Sequence, residues 1–434
     1  MKLRPFELAL VIIFIVLGLA ALVLLSSYDR APSSPDGVSF NGAVQIWGTM
    51  PGDGMADMIA SLAEQYESYE DVTYRYISPS EFDDQLVNAL ADGRGPDIVL
   101  MSHEKLVDMR RRIAPYDYDT VSMRDIRDTY VEGAQIFALN DGLYALPIAV
   151  DPIVMYWNRD ILATNGFLAP PRTWEELLNV QFDALIERDF SRNVNLAVVA
   201  MGEFSNVRNA FGVMSMLLIQ GGTVGVTEVE RGYEIQLQRA IAGSNNPLRT
   251  VVDFYTRFSQ PANSFYSWNR SLPQDRSAFV SEDLTFYFGY ASEAREIERL
   301  NPNLNFDVAE VPQGAASNVR RTYGRFYGLS ILRSTDNANA AYAVMAQLNN
   351  PARGAAIAAD SGLAPANRQA IGVGTNDVYN RVSFASAGIA YGWLNPDLIE
   401  AEQTFATMTT DINENRRSLD QAVSDGLERL ERSY

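Results

Sequence analysis

Three loops and one class of side chain could carry chemistry in this sequence. Gly48-Thr49-Met50-Pro51-Gly52-Asp53-Gly54 joins a strand-like run to a helical one. It lacks the Gly-Lys-Ser/Thr of a phosphate-binding loop, so it reads as a tight turn or as a place where Asp53 meets a ligand. Ser102-His103-Glu104-Lys105 follows the apolar run 97–101 (DIVLM), and this acid beside a base reads as a solvated helix start or a polar ligand contact. Asp151 stands just past Ala149 and Val150, where a carboxylate is either a hinge cap or a ligand acceptor. In open α/β sheets ligands gather beyond the carboxyl ends of strands, the setting all three share. Aromatic residues add a second signal, in Phe265-Tyr266-Ser267-Trp268-Asn269, in Phe286-Tyr287-Phe288-Gly289-Tyr290 and in Tyr391-Gly392-Trp393. A flat ring covers the apolar C–H face of a sugar while neighbouring acids, amides and guanidinium groups bond its hydroxyls. Each ring could also fill a core, the commoner role for such a ring. Trp268 beside Asn269, Tyr290 and Trp393 are expected to face a ligand, because each adjoins a glycine, an amide or a turn.

Catalysis has little to work with. The chain has no cysteine and one histidine, His103. That removes thiol nucleophiles, disulfides and His-rich zinc sites, and limits Ser–His chemistry. A glycosidase needs two carboxylates flanking one bond, and no spacing singles out a pair among 54 acids. There is no HExxH and no nucleophile elbow. A binding protein without enzyme activity, cofactor or metal is expected. Acids exceed the 35 bases, for a net charge of −19, which is the wrong sign for displacing counterions from nucleic acid.

The elements that must position these residues alternate strand and helix, the pattern of an α/β fold. Strands are expected over 43–47, 72–77 and 97–101, with helices over 55–66 and 79–90. Later helices carry one apolar face each, Leu248/Val251/Val252/Tyr255/Phe258 and Leu419/Ala422/Val423/Leu427/Leu430. In 140–158 (NDGLYALPIAVDPIVMYWN) a turn is followed by two extended runs, as in a strand that passes from one sheet to another. If the chain later returns, both lobes are discontinuous and the crossings are hinges. With 434 residues, two to four domains are expected. At the N-terminus, residues 8–25 are 18 uncharged, apolar residues preceded by Lys2 and Arg4. That length matches a bilayer core, and the flanking charge favours a cytoplasmic N-terminus. A retained transmembrane anchor over 1–25 and a flexible tether over 26–41 are therefore expected, with an extracellular or periplasmic soluble part.

The chain resembles the extracellular solute-binding proteins of ABC importers, family 1, and among them the maltodextrin-type sugar binders. The resemblance runs from Ala43 onward and rests on VQIWGTMPGDG (44–54), GPDIVLMSHEKL (95–106), DGLYALPIAVDPIVMYWNRDIL (141–162) and PPRTWEEL (170–177). It implies a type II periplasmic-binding-protein clamp, two α/β lobes of mixed sheet flanked by helices, closing on a small-molecule ligand. It allots 42–149 plus about 291–335 to lobe I, and 150–290 plus about 336–434 to lobe II. It implies sugar contacts at Asp53, at the Glu104–Lys105 pair and at Asp151, with Tyr290 and Trp393 near positions that stack on sugar rings. Met101 departs from the family, standing where maltodextrin binders carry an aromatic platform. The missing cysteine is a second departure, since many relatives are lipid-anchored through one. The implied partners are an oligosaccharide and a membrane permease, with the protein itself a monomer.

Overall fold

The computed structural model describes residues 40, 42–230, 232–243 and 245–434. The expected anchor, and all of the expected tether but Phe40, lie outside the described residues. Among the described residues, no helix is long and apolar enough to cross a membrane.

The first half opens as β1 (Val44–Gly48), α1 (Gly54–Gln65), β2 (Val72–Tyr76), α2 (Phe82–Ala91) and β3 (Ile98–Ser102). β1 pairs in parallel with β2 and with β3, as the intervening helices require. β3 is buried throughout, which explains its unbroken apolar run. Next comes β4 (Leu146–Asn158), thirteen residues and all buried. It is followed by β5 (Val194–Val199), α3 (Ala210–Gln220), the hairpin β6 (Thr223–Val229) and β7 (Gly232–Ala240), and α4 (Pro247–Thr256). α4 is started by Pro247 and by the Asn246 side chain, which accepts from the Arg249 N–H, a standard helix opening. The chain continues through β8 (Leu284–Tyr290), β9 (Phe306–Ala309), β10 (Thr322–Leu332), α5 (Ala338–Leu348), α6 (Pro351–Asp360), β11 (Ala390–Tyr391), α7 (Leu398–Asn413) and α8 (Leu419–Glu431).

Two hydrophobic cores define two lobes. The first gathers Phe40 to Val150 and then Phe326 to Leu394; the second gathers Ile153 to Tyr323 and then Trp393 to Leu430. The chain changes core within three residues on β4, between Val150 and Ile153, within three on β10, between Tyr323 and Phe326, and again at Trp393–Leu394. β4 and β10 run antiparallel through the crossing, with Gly324 opposite Pro152 and Arg325 opposite Asp151. β11 lies parallel to the start of β10. The expected crossing lay at 149–151 and the expected returns at about 291 and 336, while the cores exchange at Val150–Ile153, Tyr323–Phe326 and Trp393–Leu394. Residues 291–323 stay in lobe II, because β9 pairs with the lobe II half of β4, Phe306 opposite Asn158. Most of 336–394 belongs to lobe I, because Ala340, Val344, Ile357 and Ala364 complete its core.

A second tie joins the lobes away from the strands. Ile235 and Leu237 of the β6–β7 hairpin sit in the lobe II core while Tyr233 packs against lobe I. Arg110 of lobe I reaches Glu228 at 2.7 Å and the Tyr233 hydroxyl at 2.9 Å, and also pairs with Asp141 at 2.9 Å. The Asn140 N–H donates to Glu228 at 2.7 Å.

Candidate functional site

The end of β3 builds one side of the site. After Ser102 the chain makes one 3-10 turn, His103–Lys105. β10 runs antiparallel alongside, with Tyr327 opposite Ser102, so this turn is covered rather than solvated. His103 is fully buried and Glu104 is 5% exposed, against the expectation of a solvated helix start. His103 Nδ1 accepts the Phe326 N–H at 3.2 Å. Its Nε2 is packed so closely by Gly392 that a Cβ there would stand 2.3 Å away. Burial pushes the His103 pKa down to about 4, so the ring is neutral at ordinary pH.

Glu104 is held from three directions. The Tyr323 hydroxyl donates at 2.5 Å, Arg325 Nε at 2.9 Å and Ser102 Oγ at 3.3 Å. Burial works against its ionisation, but Arg325, His103 and these hydrogen bonds outweigh it and hold its pKa below the usual carboxylate value. Arg325 belongs to the crossing strand β10, and its guanidinium carbon lies 4.1 Å from the centre of the Tyr290 ring. Tyr290 ends β8 of lobe II. One arginine therefore takes a carboxylate from lobe I and a ring face from lobe II, a cation–π contact on top of an ion pair.

Asp151 lies across the strand pair from Arg325 and is 2% exposed. It accepts the Ser292 N–H at 3.0 Å and the Ser292 hydroxyl at 2.7 Å. Burial overrides both bonds and pushes its pKa up to about 7. The two buried carboxyls of the crossing are thus driven apart, Glu104 ionised and Asp151 near its midpoint at neutral pH. Glu402 on α7, half-buried, is raised by burial and by Glu104, with Arg325 acting the other way, which places it in the same field.

Of the eight nominated residues, the structure brings Glu104, Asp151 and Tyr290 together around Arg325. Asp53 is exposed at the start of α1, where Gly52 takes a left-handed turn at φ +81°. Its charge is felt by Tyr74. Lys105 is paired with Asp83. Trp268 is 1% exposed in the lobe II core and donates to Asn206 Oδ1 at 3.1 Å, so its expected ligand-facing position is corrected. Asn269 supports the same loop: its Nδ2 donates to the Tyr266 hydroxyl at 2.6 Å and its Oδ1 accepts the Ser271 N–H at 2.8 Å. Trp393 is buried between Phe211 and Phe405 and donates to Ser215 Oγ at 3.1 Å. It lines a cavity of about 620 Å³ between Glu132, Arg321 and the β6–β7 hairpin, and Glu104, Asp151, Tyr290 and Arg325 are not among its walls.

Sequence reasoning missed Arg325, Ser292 and Glu402. Arg325 had a readable signal, being the only charge in β10. Ser292 and Glu402 had none, since each reaches the crossing only through the fold. Among the described residues, no group of His, Asp or Glu could hold a metal ion.

A clamp of two α/β lobes, with polar groups from both lobes meeting at the crossing strands, defines a solute-binding architecture. The family model for bacterial extracellular solute-binding proteins matches residues 57–378, and the chain belongs to that family. Its fold is shared with the cyclic alpha-maltosyl-1,6-maltose binding protein of Arthrobacter globiformis (TM-score 0.72, 13% identity, covering 91% of this chain and 99% of that one). It is shared also with the sugar-binding protein MalE of Xanthomonas citri (TM-score 0.70, 18% identity, covering 90% and 97%). In sequence, the chain is 21% identical over 290 residues to a protein named as a binding protein in Brucella abortus, spanning 66% of each chain.

Proposed function

We propose that this protein is the membrane-tethered, extracellular or periplasmic solute-binding component of an ABC importer, and that it carries a carbohydrate, an oligosaccharide above all. The observation that carries this reading is the crossing itself, where Glu104 of lobe I and Tyr290 of lobe II both engage Arg325. Family membership and the sugar-binding structures that share the fold support it. A ligand touching both lobes stabilises the closed form by its differential affinity, and the crossing strands carry the swing. Glu104, Asp151 and Arg325 supply the polar contacts in this reading, with Asp53, exposed at the start of α1, as a further contact from lobe I. The apolar segment 8–25 would hold the monomer beside its permease and raise its local concentration there.

The test is a thermal-shift screen of the full chain against sugars, oligosaccharides, amino acids and polyamines. Binding to the folded form alone stabilises it by about 2.7 kcal/mol at a hundredfold excess over Kd. A shift confined to one saccharide series, with no product formed, supports a carrier. Product formation would make the site hydrolytic. A shift with another solute alone would keep the carrier and discard the carbohydrate.

A further inference from the structure

Tyr290 is the residue that a stacked sugar would be expected to use, yet its ring is already covered. The ring is 3% exposed, and Arg325 occupies one face at 4.1 Å. Gly212 closes on the hydroxyl, where an added Cβ would lie 2.8 Å away. Arg325, by contrast, is 31% exposed. Its Nε is engaged by Glu104 and its flat face by Tyr290, while its two terminal nitrogens have no protein hydrogen-bond partner among the described residues. A guanidinium held at one edge and one face presents its remaining donors in a fixed fork, which suits two neighbouring oxygen acceptors.

We infer that Arg325, rather than Tyr290, is the direct ligand contact at the crossing, and that its terminal nitrogens bond adjacent hydroxyl oxygens of a neutral saccharide. Tyr290 is then a positioning residue that holds the guanidinium flat. Local charge decides the ligand class. Glu104 already neutralises Arg325, and Asp151 and Glu402 add further carboxyls nearby, so a uronate would meet more acids than bases. An ammonium group has no acceptor to offer the fork. Hydroxyls accept from Arg325 and can donate to Glu402.

This assignment rests on the carbohydrate reading, and one experiment separates the two. Full-length protein in a detergent without a sugar headgroup is titrated calorimetrically with malto-oligosaccharides of two to six units, trigalacturonate and fully deacetylated chitotriose. Wild type, Arg325→Lys and Tyr290→Phe are compared, with melting temperatures measured alongside. Lysine keeps the charge that Glu104 needs but loses the fork. The expected result is binding of the neutral series, about a tenfold or greater loss in Arg325→Lys, and a smaller loss in Tyr290→Phe, which keeps the ring face under the guanidinium, with melting temperatures close to wild type. Unchanged or tighter binding by Arg325→Lys would mean that the freed ring stacks the sugar, overturning the assignment while keeping the carrier. Preference for trigalacturonate or chitotriose would overturn the neutral class. No binding of any series would overturn both readings.

Discussion

Glu104 and Trp268 were both nominated as ligand contacts, and both are buried, yet their surroundings differ in kind. Trp268 is enclosed by one lobe, its single polar atom fully satisfied by Asn206. Glu104 sits where the chain changes core, and its partners, Tyr323 and Arg325, come from β10, the strand that leaves one lobe for the other. Burial inside one lobe stabilises a shape. Burial at the crossing stabilises a relation between two shapes, which a ligand can alter. The location of a polar contact relative to the crossing, more than its chemistry, marks a residue as able to sense closure.

Trp268→Ala tests this contrast most severely. Removing a fully enclosed indole should cost about 3–5 kcal/mol, read as a large fall in melting temperature, while affinity per folded molecule stays unchanged; a selective loss of binding would return Trp268 to the ligand. Glu104→Gln should cost less, about 1–3 kcal/mol, below the value for a fully buried pair because Arg325 still touches water. Unlike the tryptophan variant, it should also change ligand affinity, since it frees Arg325.

The smallest effect concerns protons. Asp151 holds its proton in the folded state up to about pH 7, whereas the unfolded chain loses it near 3.9. Between those values the folded state binds more protons, so this group's contribution to stability is present at low pH and declines as pH rises. Asp275 in lobe II, also raised by burial to about 7, acts in the same direction. His103 acts oppositely between about 4 and 6.5, because its folded form resists protonation. Asp151→Asn should therefore flatten, without abolishing, the fall in melting temperature between pH 4 and 7. A slope identical to wild type would show Asp151 ionised across the range.

Much of the fold was legible, for physical reasons that also mark its limits. β3 and β4 announce themselves because strands covered on both faces are apolar over most of their length, with Glu104 standing just past the first and Asp151 as the charge inside the second. The return boundaries were not legible, because they depend on β9 finding β4 and on α5 and α6 packing against strands some 200 residues earlier. Trp268 misled for the same reason. Its turn is local and readable, but the amide that satisfies its indole is 62 residues away in sequence. Arg325 lay open to view as a lone charge in a buried strand, a signal as informative as a charge at a strand end.

The three exchanges between cores also order events during synthesis. Lobe I has core residues from Phe40 onward but lacks part of its core until Phe326 to Leu394 have been made. At ordinary ribosomal speed, the stretch between Val150 and Phe326 alone takes on the order of ten seconds or more. Through that interval β3 has no β10 to lie against, and Glu104 has neither Tyr323 nor Arg325. The first lobe to start is thus unable to finish early, and the crossing forms only when nearly the whole chain is present.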